Sequence, residues 1–320
     1  MAVDPSTADR EFTLTRLLAA SPERVFAAWT DPRHLDRWWG PRGFTTTTET
    51  FDLRPGGAWI LVMRGPDGQE YPNHITFTEI QAPLRLCYAH GAGADDPQAF
   101  QVTIDFSAEA GGTRITLRAL FSSAEILRQM RKAGAVEAGQ STVDQFEELL
   151  AEQAAAAAPG EFVIARVLHA PRERVWRAHM AAEQLERWWG PTGFKVQVLT
   201  LDPRPGGHFH YRMESADGHV GWGRFVYREI EPLERLVWVN SFSDEQGGVT
   251  RHPMAADWPL EMLVSAEFRE LDGRTLLLLR SRPEGATAAE CAVFEAGFGS
   301  MRGGFGGTFN QLAEHLARVS

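Results

Sequence analysis

Residues 12–88 of the chain reappear at 162–238 without a gap, and 29 of those 77 aligned positions are identical. The pentapeptide Arg-Trp-Trp-Gly-Pro stands at 37–41 and again at 187–191. A period of 150 residues is too long for a solenoid, whose repeats run about 20–50 residues. It suits a whole domain, for which about 100–200 residues is usual. The 320-residue chain is therefore expected to be two tandem copies of one domain, 1–155 and 160–320. The boundary falls in the alanine run at 151–161, where alanines extend a helix until Pro159 and Gly160 stop it.

Both copies carry the same pattern. A β-rich opening (11–18, 161–168) is followed by short helical segments, for which Ser21 can serve as a cap, Pro22 suits the first helical position, and Val25, Phe26 and Trp29 share a face. After the pentapeptide, period-2 alternation broken by Pro-Gly-Gly and Asp-Gly turns predicts an antiparallel meander. Each copy ends in a long helical pattern, about 124–151 and 287–318, and Thr287 with Glu290 reads as a capping box. The order β, two short helices, six strands, long helix is an α+β domain. A curved antiparallel sheet must bury its concave face, and only the terminal helix is long enough to cover it. A sheet wrapped around one helix tends to leave a cavity between them.

The net charge of −10 and the two lysines among 32 basic residues argue against nucleic acid as a partner, because phosphate neutralisation needs a basic face. The first twelve residues have no apolar core of a secretory signal, and no uncharged apolar run approaches a membrane span. Cys87 and Cys291 lie in different halves, outside any CxxC, which fits packing roles in a reducing cytoplasm. No Gly-x-Ser-x-Gly, Walker loop or His-Glu-x-x-His occurs, and no cofactor is implied.

The stretch from Glu23 through the pentapeptide to "DLRPGG" and "ITFTEI", matched in the second copy by "RWWGPTGF", "DPRPGG" and "MRGGFGGTFNQLAEHL", resembles the START-like (SRPBCC, helix-grip) superfamily in its branch related to the activator of heat-shock-protein-90 ATPase. The resemblance covers nearly the whole chain. It implies a helix-grip fold with a hydrophobic pocket, in a superfamily that includes lipid carriers, hormone receptors, aromatic cyclases and a chaperone activator. Gly139 stands where Phe305 lies in the second copy and where relatives often have tryptophan, so the two halves are not expected to bind alike.

The candidate ligand contacts are mostly aromatic: Trp38, Trp59, Tyr88, Trp188, Trp222 and Trp238. Either ring of each pair, Trp38 or Trp39 and Trp188 or Trp189, could be the one turned toward a ligand, and the plainer role of the pairs is a plug that seats the short helices on the sheet. In "GGHFHYRM", His208, His210 and Arg212 alternate onto one face and Phe209, Tyr211 and Met213 onto the other. Turned inward, the histidines could contact a ligand or act as acid and base; turned outward, they are a solvent stripe. His219 and His252 are only possible extra ligands for a metal, so none is expected. His74 begins a strand in the first copy. Six glycines between 297 and 307 cost a helix about 0.8–1 kcal/mol each relative to alanine. Either close helix-to-sheet packing or room for a ligand must account for them, and Glu295 and Arg302 could add polar contacts. Asp52 with Arg54, and Asp202 with Arg204, read as surface ion pairs beside turns.

The leading expectation is a protein that binds a small hydrophobic or aromatic molecule without dedicated catalytic residues. One alternative is a regulator of the heat-shock-protein-90 chaperone ATPase acting through its surface; another is a cyclase- or hydrolase-like enzyme using His208 or His210.

Overall fold

The computed structural model describes residues 7–155 and 157–318. The chain divides into two compact units, Met1–Leu150 and Ala151–Ser320. In the first, β1 (Glu11–Leu18) leads to α1 (Pro22–Trp29) and α2 (Pro32–Trp38). The meander follows as β2 (Thr45–Phe51), β3 (Ala58–Arg64), β4 (Glu70–Gln81), β5 (Arg85–Gly91), β6 (Phe100–Glu109) and β7 (Gly112–Leu120). The order across this antiparallel sheet is β1-β7-β6-β5-β4-β3-β2, so the first strand returns beside the last. Helices α3 (Ala124–Lys132) and α4 (Ala135–Ala154) close the pattern, and the division between units falls within α4.

The second unit repeats the plan with β8 (Phe162–Leu168), α5 (Arg172–Met180), α6 (Ala182–Trp188), β9 (Phe194–Leu201), β10 (His208–Ser215), β11 (Val220–Glu231) and β12 (Arg235–Ser243). A two-residue strand, β13 (Val249–Thr250), is added against β12 before β14 (Glu261–Leu271), β15 (Arg274–Glu284), α7 (Ala288–Ala296) and α8 (Phe298–Arg318). The α+β helix-grip architecture expected from the order of elements is present in both units.

Alternation puts one face of each sheet under its last helix. In the first unit Trp59, Leu61, Ile75, Phe77, Tyr88, Ile104 and Phe106 are buried in one cluster with Val143, Phe146, Leu149 and Leu150 of α4. Phe146 wedges between Trp29 and Trp38, 4.7 Å from each ring. Truncating such a ring to alanine costs about 3–5 kcal/mol.

Three local details differ from the sequence reading. Each terminal helix is broken rather than continuous: Gly134 takes a left-handed φ of 80° between α3 and α4, and Gly297 separates α7 from α8. The alanine run stops being helical at Ala154, before Pro159 is reached. Ser21 makes no side-chain cap; the capped short helix is α2, where Asp31 accepts from the Arg33 amide at 3.0 Å. Residues 1–6, part of the stretch examined for a signal, and Ala156 of the alanine run lie outside the described residues. The Thr287–Glu290 capping box is formed. Among the described residues no helix is long and apolar enough to cross a membrane.

Candidate functional site

The second sheet and α8 enclose a cavity of about 390 Å³. Its floor is the inward face of the meander: Tyr211 and Met213 on β10, Gly223 and Phe225 on β11, Trp238 and Asn240 on β12, Val264 on β14 and Ser281 on β15. Its roof is one stripe of the helical segment, Gly297, Met301, Gly304, Phe305 and Thr308, at the three- and four-residue spacing of a single helix face. Trp189, Gly190 and Pro191 of the second pentapeptide close one side, and His252 and Trp258, from the connection between β13 and β14, reach it from another.

Glycines shape this space in two ways. At Gly297 a Cβ would stand 2.8 Å from the Trp258 indole, and at Gly307 2.6 Å from the Thr192 hydroxyl, so both permit close packing. Gly304 has nothing within 4 Å of that position and opens onto the cavity. Both accounts of the glycine-rich helix hold, each at different positions. On the floor, a Cβ at Gly223 would lie 2.4 Å from the Tyr211 hydroxyl oxygen. The bare backbone there is what lets the Tyr211 ring lie across the neighbouring strand.

The corresponding space in the first unit is about 10 Å³, walled by Trp29, Trp39, Trp59, Phe77 and Tyr88 among others. That is at the limit for one water. Matching sheet registers explain the closure, since Leu61 stands for Tyr211 and Asn73 for Gly223. Asn73 fills the room that glycine leaves, and its Oδ1 lies 2.6 Å from His90 Nε2, where the second unit has Asn240. A polar hollow of about 570 Å³ lies against the outer face of the first sheet, but its charges are matched in pairs, Arg85 with Asp105 at 2.7 Å and Arg118 with Glu11 at 2.8 Å.

Burial dominates the electrostatics of both interiors. It pushes the Tyr211 hydroxyl up to about 12, partly countered by the nearby Trp189 indole, whose nitrogen nevertheless lacks the geometry of a formed hydrogen bond. Burial likewise raises Tyr88 and lowers His90 to about 4 and His252 below the usual imidazole value. Among the described residues, no lysine, arginine, aspartate or glutamate lines the cavity. It is therefore an apolar chamber with a few neutral polar groups.

Several residues singled out from sequence meet here. Trp222 and Trp238 line the large cavity, and Trp59 and Tyr88 line the small one. Which ring of each tryptophan pair faces a cavity is decided by where the short helix ends, and it is not the candidates Trp38 and Trp188. Trp38 and Trp188 are the last residues of α2 and α6, share a face with Leu35 and Leu185, and are 1% exposed in the core. Trp39 and Trp189 have left the helix in an extended conformation, and it is they that reach the cavities. Both Asp-Arg pairs are surface ion pairs, at 2.8 Å and 3.0 Å.

The remaining candidates lie elsewhere. The alternation in β10 holds, and Phe209, Tyr211 and Met213 face the core, so His208, His210 and Arg212 face outward. His210 is covered by the 244–248 turn, 3.2 Å from the Asp244 carbonyl, and Arg212 pairs with Glu214 at 2.7 Å. His74 alternates with inward Asn73 and Ile75 and so also faces outward. Glu295 is exposed on α7, and Arg302 pairs with Glu152 at 2.9 Å while donating to the Val163 carbonyl. None of these six is part of either lining.

Sequence reasoning did not single out Tyr211, Asn240, Trp258 and Ser281 as contacts. The signal for Tyr211 was present: it shares its alternation face with Phe209. Ser281 follows Leu277 and Leu279, and Asn240 follows Leu236 and Trp238, on the buried face of their strands, where a polar residue is itself informative.

The model of the family described as "Activator of Hsp90 ATPase homolog 1-like protein" matches residues 19–151 and 169–317. Among solved structures, the chain is similar to a protein from Arthrobacter aurescens at 31% identity, over 47% of this chain and 91% of that one, with a TM-score of 0.43. It is similar to a protein from Nitrosomonas europaea at 28% identity, over 46% and 98%, with a TM-score of 0.43. The di-domain ARO/CYC BexL from the BE-7585A biosynthetic pathway aligns over 97% of this chain and 100% of its own, at 15% identity and a TM-score of 0.36. No match was found among curated proteins.

Proposed function

Because the chain belongs, in two tandem copies, to the family of activator of Hsp90 ATPase homolog 1-like proteins, we propose that it binds one small apolar or aromatic molecule per chain, in its second unit. The observation that carries this reading is the contrast between about 390 Å³ of apolar chamber in one copy and about 10 Å³ in the other. The larger volume lies within the 300–1,000 Å³ of ordinary ligand pockets. Each 100 Å² of apolar ligand surface removed from water contributes about 2.5 kcal/mol, with Trp189, Phe225 and Trp238 as the contact walls.

The neutral fluorescent probe N-phenyl-1-naphthylamine tests the reading. It should bind the full chain with one site, and Gly304→Leu, which fills the chamber from above, should abolish binding. Two equal sites, or binding that survives Gly304→Leu, would contradict it. Regulation of a chaperone ATPase, the alternative raised by the family's description, predicts stimulation of that ATPase that Gly304→Leu leaves unchanged.

A further inference from the structure

The polar groups of the cavity narrow the chemistry of its occupant, and the inference rests on the binding reading above. We propose that the ligand is a neutral aromatic molecule with hydroxyl or carbonyl oxygens on opposite edges, held by Tyr211, Asn240 and Ser281, with His252 as a further donor.

Each of these groups has a hydrogen-bonding position that no described residue fills. The Tyr211 hydroxyl has the Trp189 indole N–H beside it, and an indole only donates, so the phenolic proton is left without an acceptor. The side chains of Asn240 and Ser281 make no hydrogen bond to any described residue, although Ser281 is 3% exposed and Tyr211 6%. His252 Nδ1 accepts from the Met254 amide at 3.0 Å, so the neutral ring carries its proton on Nε2, which meets no described acceptor. Buried polar groups are ordinarily satisfied, and leaving them unpaired is destabilising.

Their placement has a pattern. The sheet order β10-β11-β12-β14-β15 sets Tyr211, Asn240 and Ser281 two strands apart each, about 10 Å at the usual strand spacing. The strands between them present Gly223 and Phe225, and Met262 and Val264. A flat apolar body fits over those, with its oxygens directed to the flanking strands. A charged ligand does not fit, because among the described residues no ionised side chain lines the wall to compensate it.

The duplication supplies an internal control. At the same registers the closed unit carries Leu61, His90 and Ala119, and His90 is already paired with Asn73. The fold therefore accommodates apolar or satisfied residues at all three places, and the unsatisfied set is found where the chamber is open.

Calorimetric titration of the full chain with naphthalene and 2,6-dihydroxynaphthalene tests this. The diol should bind at least about tenfold more tightly. Tyr211→Phe should weaken the diol by about fivefold and leave naphthalene unchanged, which also reports that the variant folds. Equal affinity of the two probes for the natural chain, or equal weakening of both by Tyr211→Phe, would overturn this inference while the binding reading stands. If neither probe binds, both fall.

Discussion

Replacing Gly304 by alanine should stabilise the second unit. The residue lies inside α8, where glycine is about 0.8–1 kcal/mol less favourable than alanine, and beyond the neighbouring backbone of its own helix no atom lies within 4 Å of the added methyl. For a unit of this size, a gain of about 1 kcal/mol raises Tm by about 2–4 °C. Gly303 is equally unobstructed but outside the cavity lining, so Gly303→Ala should give the same rise and leave probe binding unchanged. Gly297→Ala carries the opposite sign. Gly297 lies between α7 and α8, outside either helix interior, so no helical gain offsets a methyl 2.8 Å from the Trp258 indole, and overpacking costs about 1–3 kcal/mol. Scanning calorimetry of the three variants beside the natural chain reads all of this. A lower Tm for Gly304→Ala, or a rise for Gly297→Ala equal to that of Gly303→Ala, would refute the assignment of open and packed glycines.

Further outcomes follow from other parts of the molecule. His179 is buried with Nδ1 2.8 Å from the Val175 carbonyl, and burial lowers its folded pKa from 6.5 to about 4. On acidification the unfolded chain therefore takes up the proton first, and stability is lost from about pH 6.5 down to about 4, at about 1.4 kcal/mol per pH unit. Between pH 7 and 5 this amounts to about 2 kcal/mol, and His179→Gln should flatten that part of the pH dependence of Tm. Substituting His208 and His210 together by glutamine should leave probe affinity within about twofold, as fluorescence titration would show, because both face away from the chamber. Thr287→Ala removes the cap on α7 and should cost about 1 kcal/mol in urea unfolding followed by circular dichroism.

Much of the architecture was legible in the sequence because it rests on local rules. Duplication follows from identity at a fixed offset. The meander follows from alternation and turn residues, and the capping box from Thr287 and Glu290. The partition of "HFHYRM" into two faces was also correct, since successive strand residues must point oppositely. Alternation does not say which face is inward, however, and only burial of Phe209 and Tyr211 against the core decided that. The tryptophan pairs depended on where the helix ends: Trp38 and Trp188 are still helical, whereas Trp39 and Trp189 are not, and one residue turns a ring from core to cavity. Whether a chamber is open depended on contacts between distant positions. Gly223 makes room for Tyr211 in one unit, whereas Asn73 and His90 close the space in the other. Such pairs meet only after the strands have found their register, which is why the single sequence determined two copies of one fold and the tertiary structure alone decided that they differ inside.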